Sequence, residues 1–236
     1  MTARASKHQT AQDIVRFLKS QGNAANVAGM ARYGINASNA CGVSIPVLRK
    51  KAREIGTNHE LALALWQTGV HEARILAALV AEAKSLTEEQ AEVWVKDFDS
   101  WDVCDQVCSN LFDKAIFARK KAPQWAKREG EFVRRAGFVI MAAMAVHEKV
   151  APDCDFEKFF PLIKRQSTDG RNFVKKAVNW ALRQIGKRNR ALNGKAIALA
   201  LEIAAIDSPS ARWIAADALR ELRSRKFGPA GQKIHY

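Results

Sequence analysis

The chain has little of what disulfide-stapled, secreted or membrane-spanning proteins depend on. Its 236 residues include only four cysteines, Cys41, Cys104, Cys108 and Cys154, and no two of them form a CxxC pair. Scattered cysteines are typical of a reducing compartment. No apolar run approaches the ~18 residues of a membrane helix, and the first residues lack the apolar stretch of a signal peptide. We therefore expect a cytoplasmic protein without a membrane partner.

Several catalytic motifs are also missing. The sequence contains no GxxxxGK[ST] or GxGxxG phosphate loop, no HExxH zinc motif and no GxSxG nucleophile elbow. His71 and Glu72 begin like a zinc motif, but Ile75 stands where a second ligand would be needed. We therefore expect neither nucleotide hydrolysis nor metal-dependent hydrolysis.

What the sequence does contain is an excess of positive charge. There are 38 Lys and Arg residues against 24 Asp and Glu, which gives a formal net charge of +14. With 48% hydrophobic residues, 13 glycines and six prolines, the composition is that of a globular protein. The charge predicts an acidic partner, either nucleic acid or an anionic membrane. Because the basic residues are spread along the chain and not gathered on one amphipathic helix, nucleic acid is favoured.

The hydrophobic pattern has a helical period throughout, and no stretch alternates as a β-strand does. We predict an all-α chain with helices at residues 9–20, 24–33, 45–56, 59–68, 71–84, 88–97, 101–118, 131–147, 156–166, 171–188, 191–205 and 209–225. Helix-start signals agree with these bounds. Thr87 with Gln90 predicts a capping box, Ser100 a cap, and Ser208 before Pro209 a helix start.

Short helices that follow one another closely predict an α-solenoid of stacked helix pairs, with a unit of roughly 35 to 45 residues. A compact helical bundle is the alternative, because no repeat consensus is visible. We expect a single domain over residues 1–225 and a basic tail over residues 226–236. Nothing in the pattern indicates an interface between copies, so we expect a monomer.

The most informative helix is RNFVKKAVNWALRQIGKRN, residues 171–189. Its apolar stripe consists of Val174, Val178, Ala181, Leu182 and Ile185. A second stripe, at spacings of four, three and four, consists of Lys176, Trp180, Arg183 and Lys187. Cations beside an aromatic ring suit a phosphate backbone with a sugar or base pressed on the ring. The alternative is that Trp180 packs on a neighbouring helix and the cations only face solvent.

A second cluster is FDSWDVCDQVCSNLF, residues 98–112. Its apolar stripe consists of Trp101, Cys104, Cys108 and Leu111. Asp102 lies in the first turn, where the helix dipole stabilises a carboxylate. Asp105 lies beside the stripe, and a partly desolvated carboxylate needs a positively charged partner. That partner is either a basic neighbour such as Arg135 or, because a carboxylate repels phosphate, the positive part of a ligand.

The third cluster is EFVRRAGFVIMAAMAVHEK, residues 131–149, an apolar helix with Arg134 and Arg135 near its start. Two arginines there are suited to bind a phosphate or to clamp a carboxylate. The alternative for Arg134 is an ordinary surface residue. We interpret His147 and His71 as structural.

Four short strings occur in order along this basic, helical chain: MARY (30–33), SWDVCD (100–105), VRRAGF (133–138) and KKAVNWALRQ (175–184). Together they resemble the DNA alkylation repair family of AlkD-type DNA glycosylases. The resemblance implies HEAT-like repeats whose concave, positively charged face holds duplex DNA. It also implies hydrolysis of the glycosidic bond of 3-alkyladenine and 7-alkylguanine, without a metal or organic cofactor and without flipping the damaged base into a pocket.

The resemblance assigns roles to matching residues. Trp101 and Trp180 match the two aromatic residues that pack on the deoxyribose of the lesion. Asp105 matches the catalytic carboxylate, which family branches without glycosylase activity lack. An alkylated purine is positively charged and leaves readily, so a carboxylate that stabilises the sugar cation fits the chemistry.

Further matches lie at the DNA surface. Arg135 matches an arginine beside the lesion-strand phosphate, with Arg134 one position away as the alternative. Tyr33 and Arg183 match residues that contact DNA. The partner implied is double-stranded DNA with alkylated bases, reached in the nucleoid. A non-catalytic binder of duplex or branched DNA on the same scaffold is the alternative function, because fold does not settle activity.

Overall fold

The computed structural model describes residues 9–227, and every regular element in that range is helical. The α-helices are α1 Ala11–Ser20, α2 Ala24–Met30, α3 Ile45–Ile55, α4 His59–Gln67, α5 His71–Val80, α6 Glu88–Lys96, α7 Trp101–Asn110, α8 Ala118–Trp125, α9 Glu131–His147, α10 Asp153–Glu157, α11 Phe160–Gln166, α12 Asn172–Gly186, α13 Arg190–Ala204 and α14 Pro209–Ser224. Short 3-10 helices span Ala31–Tyr33 and Phe112–Lys114. Residues 1–8, and residues 228–236 of the predicted basic tail, lie outside the described range.

None of the helices in residues 9–227 is both long enough and apolar enough to span a membrane.

The chain divides into two compact units between Ile116 and Phe117. Helices α1 to α7 belong to the first unit and helices α8 to α14 to the second. The single domain expected over residues 1–225 stays a prediction.

In the first unit, α5 packs against α3, α4 and α7. The core holds a stacked pair of indoles, Trp66 and Trp94, whose ring centroids lie 4.1 Å apart with the planes inclined by 2°. Two hydrogen bonds join residues 31 positions apart: Trp66 Nε1 donates to Asp97, and His71 Nε2 donates to Asp102, both at 2.8 Å. Equivalent residues of successive helix pairs thus lie 31 positions apart, as expected for a repeat of helix pairs.

The second unit has the same organisation with a longer repeat. Helix α12 packs between α9 and α14, while α8, α11 and α13 form the first helices of the pairs. Three contacts join residues 38 positions apart: Lys164 to Glu202 at 2.7 Å, Asn179 to Asp217 at 2.6 Å and Arg183 to Glu221 at 2.6 Å. The repeat of 38 lies within the predicted range, whereas the repeat of 31 in the first unit is shorter.

The predicted helix over residues 101–118 is wrong in its second half. Helix α7 ends at Asn110, because Leu111 leaves the helical region at φ −132° and ψ −60°. A separate helix, α8, then begins at Ala118 and contains Pro123. Its run of basic residues and its proline resemble a loop, so the sequence analysis missed it.

Helix starts were predicted more accurately. The capping box of Thr87 and Gln90 is present, and Ser208 accepts a hydrogen bond from the backbone of Ala211 at the start of α14. Ser100 stands at the N-cap of α7 but does not cap the backbone; its hydroxyl donates to Asp102 instead. Cap signals are local, which is why they can be found in a sequence.

Candidate functional site

Tyr33 and Trp101, which are 68 residues apart, lie together in the first unit. The indole Nε1 of Trp101 donates to the backbone carbonyl of Tyr33 at 2.9 Å. Gly34 follows in a left-handed conformation, φ 69°, which glycine adopts without strain. Tyr33 is 71% exposed and Trp101 is half-buried. Two aromatic residues that the sequence singled out thus lie together at the surface of the first unit, and their contact with DNA stays a prediction.

Asp105 lies one turn after Trp101 on α7 and is half-buried. The predicted apolar stripe beside it is buried at Cys104, Cys108 and Leu111. Burial raises the pKa of the Cys108 thiol well above its ordinary value. A hydrogen bond with Cys104 and the negative charge of Asp105 raise this pKa further. A neutral thiol therefore lies next to the Asp105 carboxylate at physiological pH.

Asp102 has different surroundings. Its carboxylate accepts hydrogen bonds from His71 Nε2 at 2.8 Å and from the Ser100 hydroxyl at 2.5 Å. Burial alone would raise the pKa of Asp102, but the hydrogen bond and charge of His71 outweigh it and lower that pKa. Burial likewise lowers the pKa of His71, and Asp102 outweighs it, so the pKa of His71 is raised. Asp102 is thus held by an internal hydrogen bond to His71, in agreement with the interpretation of His71 as structural.

Glu72 holds the loop that follows Tyr33. Its side chain is buried, and its two carboxylate oxygens accept hydrogen bonds from the backbone amides of Cys41, Gly42 and Val43 at 2.8, 2.6 and 3.2 Å. Charge-assisted bonds of this kind are among the stronger ones in proteins. The sequence analysis treated Glu72 only as part of a failed zinc motif. Its actual role depends on amides 29 to 31 residues away, which no local pattern reveals.

Arg134 makes its contacts inside the second unit. Its Nε donates to the carbonyl of Arg128 and its Nη1 to Asp169, both at 2.7 Å. Arg171 also donates to Asp169, whose side chain is only 5% exposed. Burial would raise the pKa of Asp169, but the hydrogen bonds from Arg171 and Arg134 lower it to about 2. Arg134 is therefore not an ordinary surface arginine: it clamps a carboxylate.

Asp169→Asn should lower the free energy of unfolding by about 2 kcal/mol at neutral pH, the equivalent of its pKa depression. A depressed folded-state pKa stabilises the protein above the unfolded value near 4, and this contribution is lost as pH falls toward 2. Urea unfolding of both proteins at pH 7 and near pH 2.5 measures the difference, which should shrink in acid. Asp207→Asn, at a fully exposed carboxylate paired with Arg212, is the control and should have little effect. Equal stabilities of Asp169→Asn and the unchanged protein at pH 7 would contradict the clamp.

Arg135 is buried, and its Nη1 donates to the backbone carbonyl of Phe173 at the start of α12. Its helix, α9, is buried on all sides from Arg135 to Ala145. The sequence predicted an apolar face on this helix, and the burial is wider than that. Arg135 thus connects α9 to α12, and its proposed contact with a phosphate stays a prediction.

The predicted apolar stripe of α12 is buried at every position. The cationic stripe is divided. Lys176 is exposed and has no ion-pair partner within residues 9–227, and Trp180 is half-buried. Arg183 and Lys187 both pair with Glu221 of α14, at 2.6 and 2.8 Å. Lys176 is therefore the cation of this stripe whose charge is available to a ligand.

Within the described residues, no group of three or more His, Cys, Asp or Glu side chains is arranged to hold a metal ion.

Comparisons with known proteins agree with the helical repeats. A protein family described as DNA alkylation repair enzyme matches residues 14–222. A solved structure described as "a new family of proteins related to the HEAT-like repeat DNA glycosylases with affinity for branched DNA structures" has a TM-score of 0.76 and 18% sequence identity, over 91% of this chain and 96% of that chain. No curated protein matches the chain significantly. The structural likeness confirms the predicted fold class, an all-α chain of HEAT-like helix pairs.

Proposed function

The chain belongs to the DNA alkylation repair enzyme family, and from this we propose that it is a DNA glycosylase for cationic alkylated purines, 3-alkyladenine and 7-alkylguanine, in duplex DNA. The observation that carries the proposal is the half-buried carboxylate of Asp105, one turn after Trp101. The neighbouring Asp102 is already hydrogen-bonded to His71, so we assign the catalytic role to Asp105 and a structural role to Asp102.

The proposed reaction needs little from the protein beyond charge and position. The bond between C1′ and the purine nitrogen breaks, its electron pair neutralises the positively charged base, and positive charge forms on the deoxyribose. Asp105 stabilises that charge electrostatically and orients the water whose oxygen then bonds to C1′. The proton of this water passes to Asp105 or to solvent. Trp101 and Trp180 match the two aromatic residues with which the related glycosylases contact the sugar. The negative face of an indole attracts the cation that forms there.

The test is an excision assay on a short duplex with one 7-methylguanine. The wild-type protein should release the base and leave an abasic site, which alkali then cleaves. An unmodified duplex and a duplex with uncharged 8-oxoguanine are the controls, and both should stay intact because a neutral purine leaves poorly. Absence of excision at protein concentrations that saturate the DNA would contradict the glycosylase.

A second candidate is a non-catalytic protein that binds duplex or branched DNA. The affinity for branched DNA described for the related structure favours it. Binding of undamaged branched DNA together with absent excision would support this candidate. For both candidates we propose the same partner and the same place: DNA of the nucleoid in the cytoplasm, bound by a monomer.

Lys176→Gln should weaken binding to all duplexes and reduce the slope of log K against log salt by about 1, the value for one phosphate contact. Arg183→Gln should reduce the slope less, because Arg183 is already neutralised by Glu221 and Asp217. Lys187→Gln should also reduce the slope less, because Lys187 pairs with Glu221. Fluorescence anisotropy over a salt series measures the slopes. The control is Lys164→Gln, at a lysine of α11 that pairs with Glu202. An unchanged slope for Lys176→Gln would show that Lys176 does not contact a phosphate.

A further inference from the structure

The six tryptophans of the chain fall into two groups. Trp66, Trp94 and Trp125 are core residues, each at most 2% exposed. Trp101 and Trp180 are half-buried, and Trp213 is 39% exposed. The proposed function uses the first two of these solvent-reaching indoles. It gives no role to Trp213, the most exposed of the six.

Trp213 has a cation at its ring. Nζ of Lys175 lies 4.9 Å from the ring centroid, a distance typical of cation–π contacts. Lys175 and Trp213 are 38 residues apart, so they follow the same register that aligns α12 with α14. The next residue, Lys176, is exposed. An exposed indole with two lysines therefore lies within the first two turns of two parallel helices, and the first turn of each helix has no acidic residue.

The register also gives the distance to Trp180. Five residues along α12 separate the level of Trp213 from that of Trp180, which is about 7.5 Å of helix rise. Parallel helices in contact lie about 8 to 10 Å apart. At the level of the backbone, Trp213 is therefore on the order of 12 Å from Trp180, a few nucleotides along a strand.

We propose that Trp213 and Lys175 bind an unpaired nucleotide of DNA, with the base stacked on the indole and its phosphate at Lys175. An intact duplex offers no free base face, because its bases are stacked on one another. A flap or other branch does, and exposed aromatic rings with adjacent cations are the usual platform for single-stranded nucleic acid. This inference rests on the DNA binding in the proposed function but not on its catalytic step.

The experiment compares two undamaged probes, a fluorescent blunt duplex and the same duplex with an unpaired thymine flap. Trp213→Ala should lose affinity for the flap probe by about tenfold, which is about 1.4 kcal/mol and within the range of base–aromatic stacking. Its affinity for the blunt duplex should change by less than about twofold. Trp213→Phe keeps a ring face and should retain most of the flap affinity. Leu201→Ala, at an exposed apolar residue of α13, is the matched control and should change neither.

Equal losses on both probes, or no loss on either, would overturn the proposal. Lys175→Gln provides a second variant if Trp213→Ala folds poorly: it should lower flap affinity about threefold more than duplex affinity, within the range of exposed cation–π and phosphate contacts. An excision assay on the wild-type protein keeps the two hypotheses apart. If Trp213→Ala loses affinity for the flap probe alone and the wild-type protein does not excise the base, the Trp213 site is supported and the glycosylase activity is contradicted. If the wild-type protein excises the base and Trp213→Ala keeps its flap preference, the glycosylase activity is supported and the Trp213 site is contradicted.

Discussion

Asp105→Asn is expected to lower the rate of excision of 7-methylguanine by on the order of 10² or more, while DNA affinity changes little. The amide has the shape of the carboxylate but not its charge, and the charge matters only when the sugar becomes cationic. A loss confined to the chemical step is the signature of a group that acts in the transition state. Single-turnover excision measures the rate, and anisotropy with undamaged duplex measures the affinity.

The control for Asp105→Asn is Asp99→Asn, which removes the same charge two residues before α7. Asp99 is about half exposed and accepts a hydrogen bond from Asn36, which an asparagine oxygen can also accept. Excision by this variant should stay within about threefold of wild type, as expected for a surface charge. Wild-type excision by Asp105→Asn would show that the carboxylate is not catalytic, and equal losses in both variants would point to a general effect of charge.

The fold was predictable where the information is local. The buried stripe of α12, the capping box of Thr87 and the start of α14 at Pro209 follow from spacing and cap chemistry within a few residues. The end of α7 and the whole of α8 were not. Helix α8 combines few apolar residues with Pro123, and the packing of α8 against α9 stabilises it as a helix. Tertiary packing overrides weak local preference in such a segment.

The candidate site divides in the same way. Trp101, Asp105 and Trp180 stand out in the sequence because an aromatic ring or a carboxylate at an unusual helical position is visible without coordinates. The partners of these positions are not visible. The bond from Trp101 to the carbonyl of Tyr33 spans 68 residues, and the pairing of Arg183 with Glu221 spans 38. Such pairings depend on how repeats stack, so the sequence could not show which cations of α12 are neutralised.

Gly137→Ala is expected to lower the free energy of unfolding by about 3 kcal/mol, at the upper end of what overpacking costs. In the interior of a helix, alanine is normally better than glycine by about 1 kcal/mol. At position 137, however, α9 crosses α8 at close range. An added Cβ would lie 2.5 Å from the carbonyl oxygen of Ala122 and 2.8 Å from the Cα of Ala126. Both are backbone atoms, so the two helices would have to separate.

The matched control is Gly194→Ala on α13, where an added Cβ meets nothing within 4 Å and the residue is exposed. There the change should stabilise the protein by up to about 1 kcal/mol, through helix propensity alone. Urea unfolding monitored by circular dichroism measures both variants, and the opposite signs are the decisive result. If Gly137→Ala also stabilised the protein, the close approach of α8 and α9 would be wrong.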